Sequence, residues 1–254
     1  NDFFWDHLYK PYTGIYHLDT GSHLLIDMIS ELDSKQIHNK LTNNQISFQS
    51  FPGNYRYVQG GTNPHMVQQD IIINNQKQIS PVGLMSIYNQ PNMIKERNQV
   101  NGLFGLSMIR SNNKAHEYSS LNILLNNCSR KTILLDFKSK QMIVGIEPKT
   151  HYQFQGFIDS KAELLRLDVW GSYQNVPYKI LIDTGTLYSQ FKETGTIQFM
   201  GIKQKQSKGK LIMKNAKILP EELVQGKPTI LGFNDLKYGE IFIDYDKLII
   251  YINQ

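Results

Sequence analysis

Cysteine is nearly absent. Cys128 is the only one in 254 residues, so no disulfide can form within the chain and stability must come from a buried core. A single cysteine does not fix the redox compartment. Long apolar runs are also missing. The longest, such as Ile71-Ile72-Ile73, are strand-sized, and none is long enough for a membrane-spanning helix. Charge of one sign is not in large excess: 27 basic against 22 acidic residues leave +5. Hydrophobic residues at 40% and charged residues at 19% exclude a disordered polyelectrolyte. No His-Glu-x-x-His or paired Cys/His spacing occurs, so no metal site is expected. Gly-rich phosphate loops and Gly-x-Ser-x-Gly elbows are missing as well. The opening residues, Asn1-Asp2-Phe3-Phe4-Trp5-Asp6, have no basic start and no apolar signal core. Any targeting or pro-segment is therefore expected outside these 254 residues.

Short apolar runs rich in β-branched and aromatic residues are plentiful, and Gly, Pro, Asn and Asp punctuate them. Examples are Gly14–Leu18, Ile46–Phe48, Lys131–Leu135, Leu165–Val169 and Ile241–Ile243. Many short strands with close turns predict an all-β protein. Two short helices are expected, around Leu24–Leu32 and Ser119–Asn126. A faint internal repeat is visible. Leu18-Asp19-Thr20-Gly21-Ser22 is followed later by Leu103-Phe104-Gly105, and Ile182-Asp183-Thr184-Gly185-Thr186 by Ile230-Leu231-Gly232. Two copies in one order predict two related lobes, residues 1–157 and 158–254, with the boundary in the polar stretch Gly156–Ala162.

A given triplet is expected roughly 0.05 times in a chain of this size, and two copies by chance on the order of once in a thousand. Turn chemistry alone is the bland explanation. The chemical one accounts for each position. Two carboxylates held close cannot both ionise cheaply, so they share a proton. The ionised one can deprotonate water while the protonated one donates to a substrate carbonyl. Asp19 and Asp183 are the candidate pair. Gly21 and Gly185 let the backbone approach the carboxylates closely. Thr20 and Thr184 can hydrogen-bond across the paired loops, and the hydroxyls of Ser22 and Thr186 can hold the carboxylates in their charged form.

These motifs resemble the pepsin family of aspartic peptidases, over nearly the whole chain. Phe4–Ser22 is similar to the strands leading into that family's first Asp-Thr-Gly-Ser. Asn101-Gly102-Leu103-Phe104-Gly105-Leu106 resembles its Asp-Gly-Ile-Leu-Gly-Leu, and Ile230–Gly232 with Phe242–Ile249 resembles its C-terminal end. The resemblance implies a bilobal acid-protease fold of two β-barrel-like lobes around a cleft, and apolar-apolar-Gly segments that buttress each catalytic loop. It also implies an extended polypeptide substrate, acid-pH hydrolysis without a cofactor, a monomer, and sensitivity to a pepstatin-like inhibitor or a pro-segment. A secreted, endomembrane or periplasmic acidic compartment is expected on the same ground. A flap tyrosine is implied too. Tyr57, ahead of the hairpin turn Gly60-Gly61, is the first candidate, with Tyr55 and Phe48 as alternatives. His17 stands where the family prefers an apolar residue and Ile26 where many members carry tryptophan. The chain is also shorter than typical members and lacks their disulfides. A pepsin-like binding or inhibitor protein without catalysis is the alternative, and whole triplets argue against it.

Three further features stand apart. Lys203, Lys205, Lys208, Lys210, Lys214 and Lys217 form a basic stretch read as a solvated hairpin with Gly209 as a turn. Without interleaved aromatic residues it does not predict nucleic-acid binding. His23 is expected to be a surface or loop residue. Asn127-Cys128-Ser129 fits the N-glycosylation pattern.

Overall fold

The computed structural model describes residues 15–29, 49–50, 65–73, 75–86, 102–113, 115–149, 152, 154–159, 166–173, 176–186, 188–191, 195–200, 207–213, 217–218 and 229–253. It is mostly β, with two short α-helices among the described residues, as the composition of the apolar runs predicts. The described residues fall into two compact units, one drawn from the spans 1–17, 24–105 and 111–123 and one from the spans 18–23, 106–110 and 124–254.

The first unit is built on β1 (Tyr16–Asp19), β2 (Leu25–Ile29), β3 (Gln49–Ser50), β4 (His65–Ile73), β5 (Gln76–Ser86) and β6 (Gly102–Gly105). They form one sheet in the order β1-β6-β2-β5-β4-β3. The end of β1, Leu18-Asp19, belongs to the second unit. Hairpin β4–β5 runs in unbroken register from His65 opposite Leu84 to Ile73 opposite Gln76, and Asn75 takes the turn with φ 62. Asparagine tolerates this left-handed conformation better than other non-glycine residues. A 3-10 turn (His116–Tyr118) and α1 (Leu121–Leu125) follow. The helix falls within the expected Ser119–Asn126.

The expected helix at Leu24–Leu32 is instead strand β2, parallel to β5 and antiparallel to β6. Leu24, Leu25 and Ile26 are all buried. Three consecutive buried side chains demand burial on both faces, which a central strand provides and an amphipathic helix does not.

The second unit carries a twelve-stranded sheet. Its strands are β7 (Thr132–Asp136), β8 (Gln141–Val144), β9 (Phe154–Asp159), β10 (Arg166–Tyr173), β11 (Val176–Asp183), β12 (Gln190–Phe191), β13 (Gly195–Met200), β14 (Ser207–Met213), β15 (Lys217–Ile218), β16 (Thr229–Gly232), β17 (Glu240–Asp244) and β18 (Ile249–Asn253). Its main path is β15-β12-β16-β11-β10-β9-β18-β17-β7-β8, and β13 joins β10 to β14. Alternating burial along β9 and β18 shows a sheet with one face inward. The run Ile241-Phe242-Ile243 in β17 is buried on both faces. Each such side chain contributes about 1.5–3 kcal/mol relative to exposure. The expected lobe boundary after Phe157 falls inside β9, where Phe157 pairs with both Ile249 and Asp168. Gly209, expected as a turn, lies within β14 opposite Phe199. Pairing with the preceding strand β13 overrides its local turn preference.

Candidate active site

Two loops of the second unit meet with matching chemistry. Strand β1 delivers Asp19 and strand β11 delivers Asp183, each followed by a turn at Thr-Gly. The Ser22 amide donates to the Asp19 carbonyl at 3.2 Å, and the Thr186 amide to the Asp183 carbonyl at 3.3 Å. Inside each turn the glycine amide reaches back to its own carboxylate. Gly21 N–H donates to Asp19 Oδ1 at 2.8 Å, and Gly185 N–H to Asp183 Oδ1 at 2.9 Å. Asp183 also accepts from the Thr186 amide at 3.2 Å and from Thr186 Oγ1 at 2.8 Å.

The loops are locked by an exchange of threonines. The Thr20 amide donates to Thr184 Oγ1, and the Thr184 amide donates to Thr20 Oγ1, both at 3.0 Å. Each hydroxyl then donates onward into the opposite strand. Thr20 Oγ1 reaches the Ile182 carbonyl at 2.7 Å, and Thr184 Oγ1 the Leu18 carbonyl at 2.5 Å. Both threonines are essentially inaccessible, at 0% and 1% exposure. These bonds therefore stand in a low-dielectric setting where an unpaired partner is expensive.

The glycines set how near the carboxylates come. A Cβ on Gly21 would lie 2.6 Å from Asp183 Cγ, and a Cβ on Gly185 would lie 2.3 Å from Asp19 Cγ. Each carboxylate thus packs on the glycine of the opposite loop, where no other residue fits. Asp19 is buried at 6% exposure, and Asp183 is half-buried.

Each loop's strand has an apolar-Gly neighbour, β6 beside β1 and β16 beside β11, and the further donors differ. Leu106 N–H donates to the Asp19 carbonyl at 2.8 Å, Ser107 N–H to the Ser22 carbonyl at 2.9 Å, and Ser107 Oγ to the Thr20 carbonyl at 2.5 Å. The buried Tyr245 hydroxyl donates to the Leu106 carbonyl at 2.5 Å. On the other side β16 runs parallel to β11, with Gly232 opposite Asp183. Phe233, which opens α2 (Phe233–Leu236), donates its amide to the Thr186 carbonyl at 2.8 Å. Ser189 Oγ accepts from Gly232 N–H at 2.9 Å and donates to Asp235 at 2.6 Å.

Asp19, Thr20, Gly21, Ser22, Asp183, Thr184, Gly185 and Thr186 are thus assembled in one place. Tyr57, Gly60 and Gly61, with the alternatives Tyr55 and Phe48, lie outside the described residues, as do Lys203, Lys205 and Lys214. His23 is buried rather than superficial, at the first loop's exit into β2. Sequence reasoning missed Ser107, Ser189, Asp235 and Tyr245. Ser107 follows directly on the apolar-Gly segment Leu103–Leu106, which gave a partial signal. Ser189, Asp235 and Tyr245 had none.

A second charged group lies on the same sheet. Asp168 of β10 is fully buried. Its Oδ1 accepts from Arg166 at 3.1 Å, while Lys179 Nζ stands 3.7 Å from Oδ2 and pairs with Asp159. Lys179 also lies 5.8 Å from the Phe157 ring centre, and that ring stacks on Trp170. Burial pushes the Asp168 carboxyl above its ordinary range, with Arg166 and Lys179 pulling the other way.

Among the described residues, no three His, Cys, Asp or Glu side chains converge to hold a metal ion, and no helix is long and apolar enough to cross a membrane. No protein-family model matches the chain, and no curated protein matches it.

Proposed function

We propose that this chain is an aspartic endopeptidase of the pepsin-like, bilobal type, with Asp19 and Asp183 as its catalytic pair. The observation that carries the reading is reciprocal. Each Asp-Thr-Gly loop places its carboxylate on the other loop's glycine and its threonine on the other loop's amide. Turn signals alone would give no such exchange.

In the proposed chemistry one proton is shared between the two carboxylates. The ionised member takes a proton from a water molecule, and the resulting hydroxide adds to the peptide carbonyl carbon. The protonated member donates to the carbonyl oxygen. Proton transfer to the amide nitrogen then lets the C–N bond break, with no covalent enzyme intermediate. The threonine exchange fixes both carboxylates before substrate arrives, so little reorganisation is needed in the transition state. Thr186 and the glycine amides stabilise negative charge on the pair. The substrate is an extended polypeptide, and the optimum is acidic because one proton must stay on the pair. The natural setting is an acidic compartment or the cell exterior.

The test is cleavage of acid-denatured haemoglobin or casein from acid to neutral pH, with and without pepstatin, beside Asp19→Asn. Cleavage that requires Asp19 is expected, with a loss of about 10²–10⁴-fold or more in the variant. Pepstatin inhibition would add a pepsin-like pocket to the shared mechanism. Cleavage unaffected by Asp19→Asn would overturn the reading, and peptide binding without cleavage at any pH would favour a non-catalytic binding protein.

A further inference from the structure

Asn127-Cys128-Ser129 is the one Asn-X-Ser/Thr triplet in the chain. The fold displays it. Asn126 and Asn127 form an exposed turn directly after α1, and Ser129 is exposed in the bend that follows. Among the described residues nothing hydrogen-bonds the Asn127 carboxamide. Cys128 turns the other way, its thiol donating to the Leu124 carbonyl at 3.4 Å. The outer two residues of the triplet therefore face water while the middle one packs.

The turn is also held in place. The Cys128 amide donates to the Leu125 carbonyl at 3.1 Å. Lys131 Nζ reaches the carbonyls of Leu125 and Cys128, and the Lys131 amide donates to Asp246 at 3.0 Å. These bonds are made by the neighbours of Asn127 and none by its side chain. Among the described residues, a large substituent on that side chain breaks no hydrogen bond.

We propose that Asn127 is an acceptor site for an N-linked oligosaccharide, a modification independent of the peptidase reading. The donor class is a lipid-pyrophosphate-linked oligosaccharide, and the catalyst is a membrane transferase that reads Asn-X-Ser/Thr in the extended chain. The Asn127 amide nitrogen attacks the anomeric carbon of the reducing-end sugar. A C–N bond forms, the C–O bond to pyrophosphate breaks, the pyrophosphate leaves with the electron pair, and the amide proton passes to the transferase. The middle cysteine matters too. With no second cysteine in the chain, no internal disulfide can compete for the segment as it emerges.

The full chain, directed into the secretory pathway of eukaryotic cells by a cleavable leader, would be digested with peptide N-glycosidase, as would the chain isolated from its native cells. We expect a discrete fall in apparent mass on digestion, with Asn127 converted to Asp in the released peptide. Asn127→Gln and Ser129→Ala should each abolish the shift, and Ser129→Thr should raise the glycosylated fraction. Transfer precedes folding, so a variant that folds poorly still reports. An unshifted wild-type chain, or a shift that survives Asn127→Gln, would overturn the proposal.

Discussion

At the Asp19 loop the backbone is held from behind by Leu106 and Ser107, with Tyr245 bonded to Leu106 in turn. At the Asp183 loop the neighbouring strand is the counterpart, β16 beside β11 as β6 is beside β1, but the donors are the Phe233 amide and a Ser189–Asp235 pair. In front, the two Asp-Thr-Gly triplets make the same bonds: the glycine amide on its own carboxylate, and the threonine exchange. Repetition is strict where one loop touches the other. Positions that must match across a pseudo-two-fold accept one solution each. Positions that only brace a loop accept any donor within reach, and the two halves have found different ones.

The sharpest way to break this comparison is to fill a glycine. Gly185→Ala drives a methyl group to 2.3 Å from Asp19 Cγ, and Gly21→Ala to 2.6 Å from Asp183 Cγ. Both carboxylates must shift or the loops must part. An ångström of misplacement costs about 10²-fold in rate, and overpacking costs about 1–3 kcal/mol of stability. Both variants should lose kcat by about that factor, Gly185→Ala at least as much as Gly21→Ala. If either keeps full activity, the reciprocal packing is not what positions the pair.

Next in size is the threonine exchange. Thr20→Val leaves the Thr184 amide buried without its partner, and Thr184→Val does the same to the Thr20 amide. Each should cost about 1–3 kcal/mol in urea unfolding. Because the bonds are mutual, the double variant should cost less than the sum, with a coupling of about 0.5–3 kcal/mol. Strict additivity would mean that the loops are held by their separate braces and not by each other.

The braces themselves come third. Ser107→Ala removes one donor, to the Thr20 carbonyl, at about 1 kcal/mol. Ser189→Ala removes both the acceptor of the buried Gly232 amide and the partner of Asp235, so about 2 kcal/mol is expected. Equal losses in thermal or urea unfolding would show that the second loop is held by its strand pairing rather than by this serine.

What could be read from the sequence follows the same division. The paired Asp-Thr-Gly loops were legible because their chemistry restricts residue type and order together. The braces were not, since a hydroxyl at 189 or 245 has no sequence context that separates it from any other. Around Leu24–Leu32 a helix fits the sequence as well as a strand, because a short apolar run such as Leu24-Leu25-Ile26 carries no period. Only its pairing with Gly83 and Phe104, far along the chain, makes it a strand. At Gly209 the reason is nearer: its local turn preference gave way to pairing with the adjacent strand of the same hairpin.

The smallest effect concerns the sheet that carries Asp183. Strands β10 and β11 pair from Asp168 opposite Leu181 to Tyr173 opposite Val176, and side chains alternate, so Lys179, Leu181 and Asp183 share a face. Asp168 sits against that face with its carboxyl raised by burial above the unfolded-state value. A raised carboxyl binds its proton more tightly in the folded state. Its ionisation therefore burdens the fold at neutral pH, and that burden fades as pH falls through the raised value, vanishing below the ordinary carboxylate range. Asp168→Asn also loses the ion pairing with Arg166 and Lys179, so its absolute stability is a poor guide. The slope is the clean readout. From neutral toward acid pH, the wild type should gain urea stability relative to Asp168→Asn. A difference between the two that stays flat with pH would mean that Arg166 and Lys179 fully offset the burial of Asp168. The sheet behind the second carboxylate would then have no bias toward the acid range in which the pair is proposed to work.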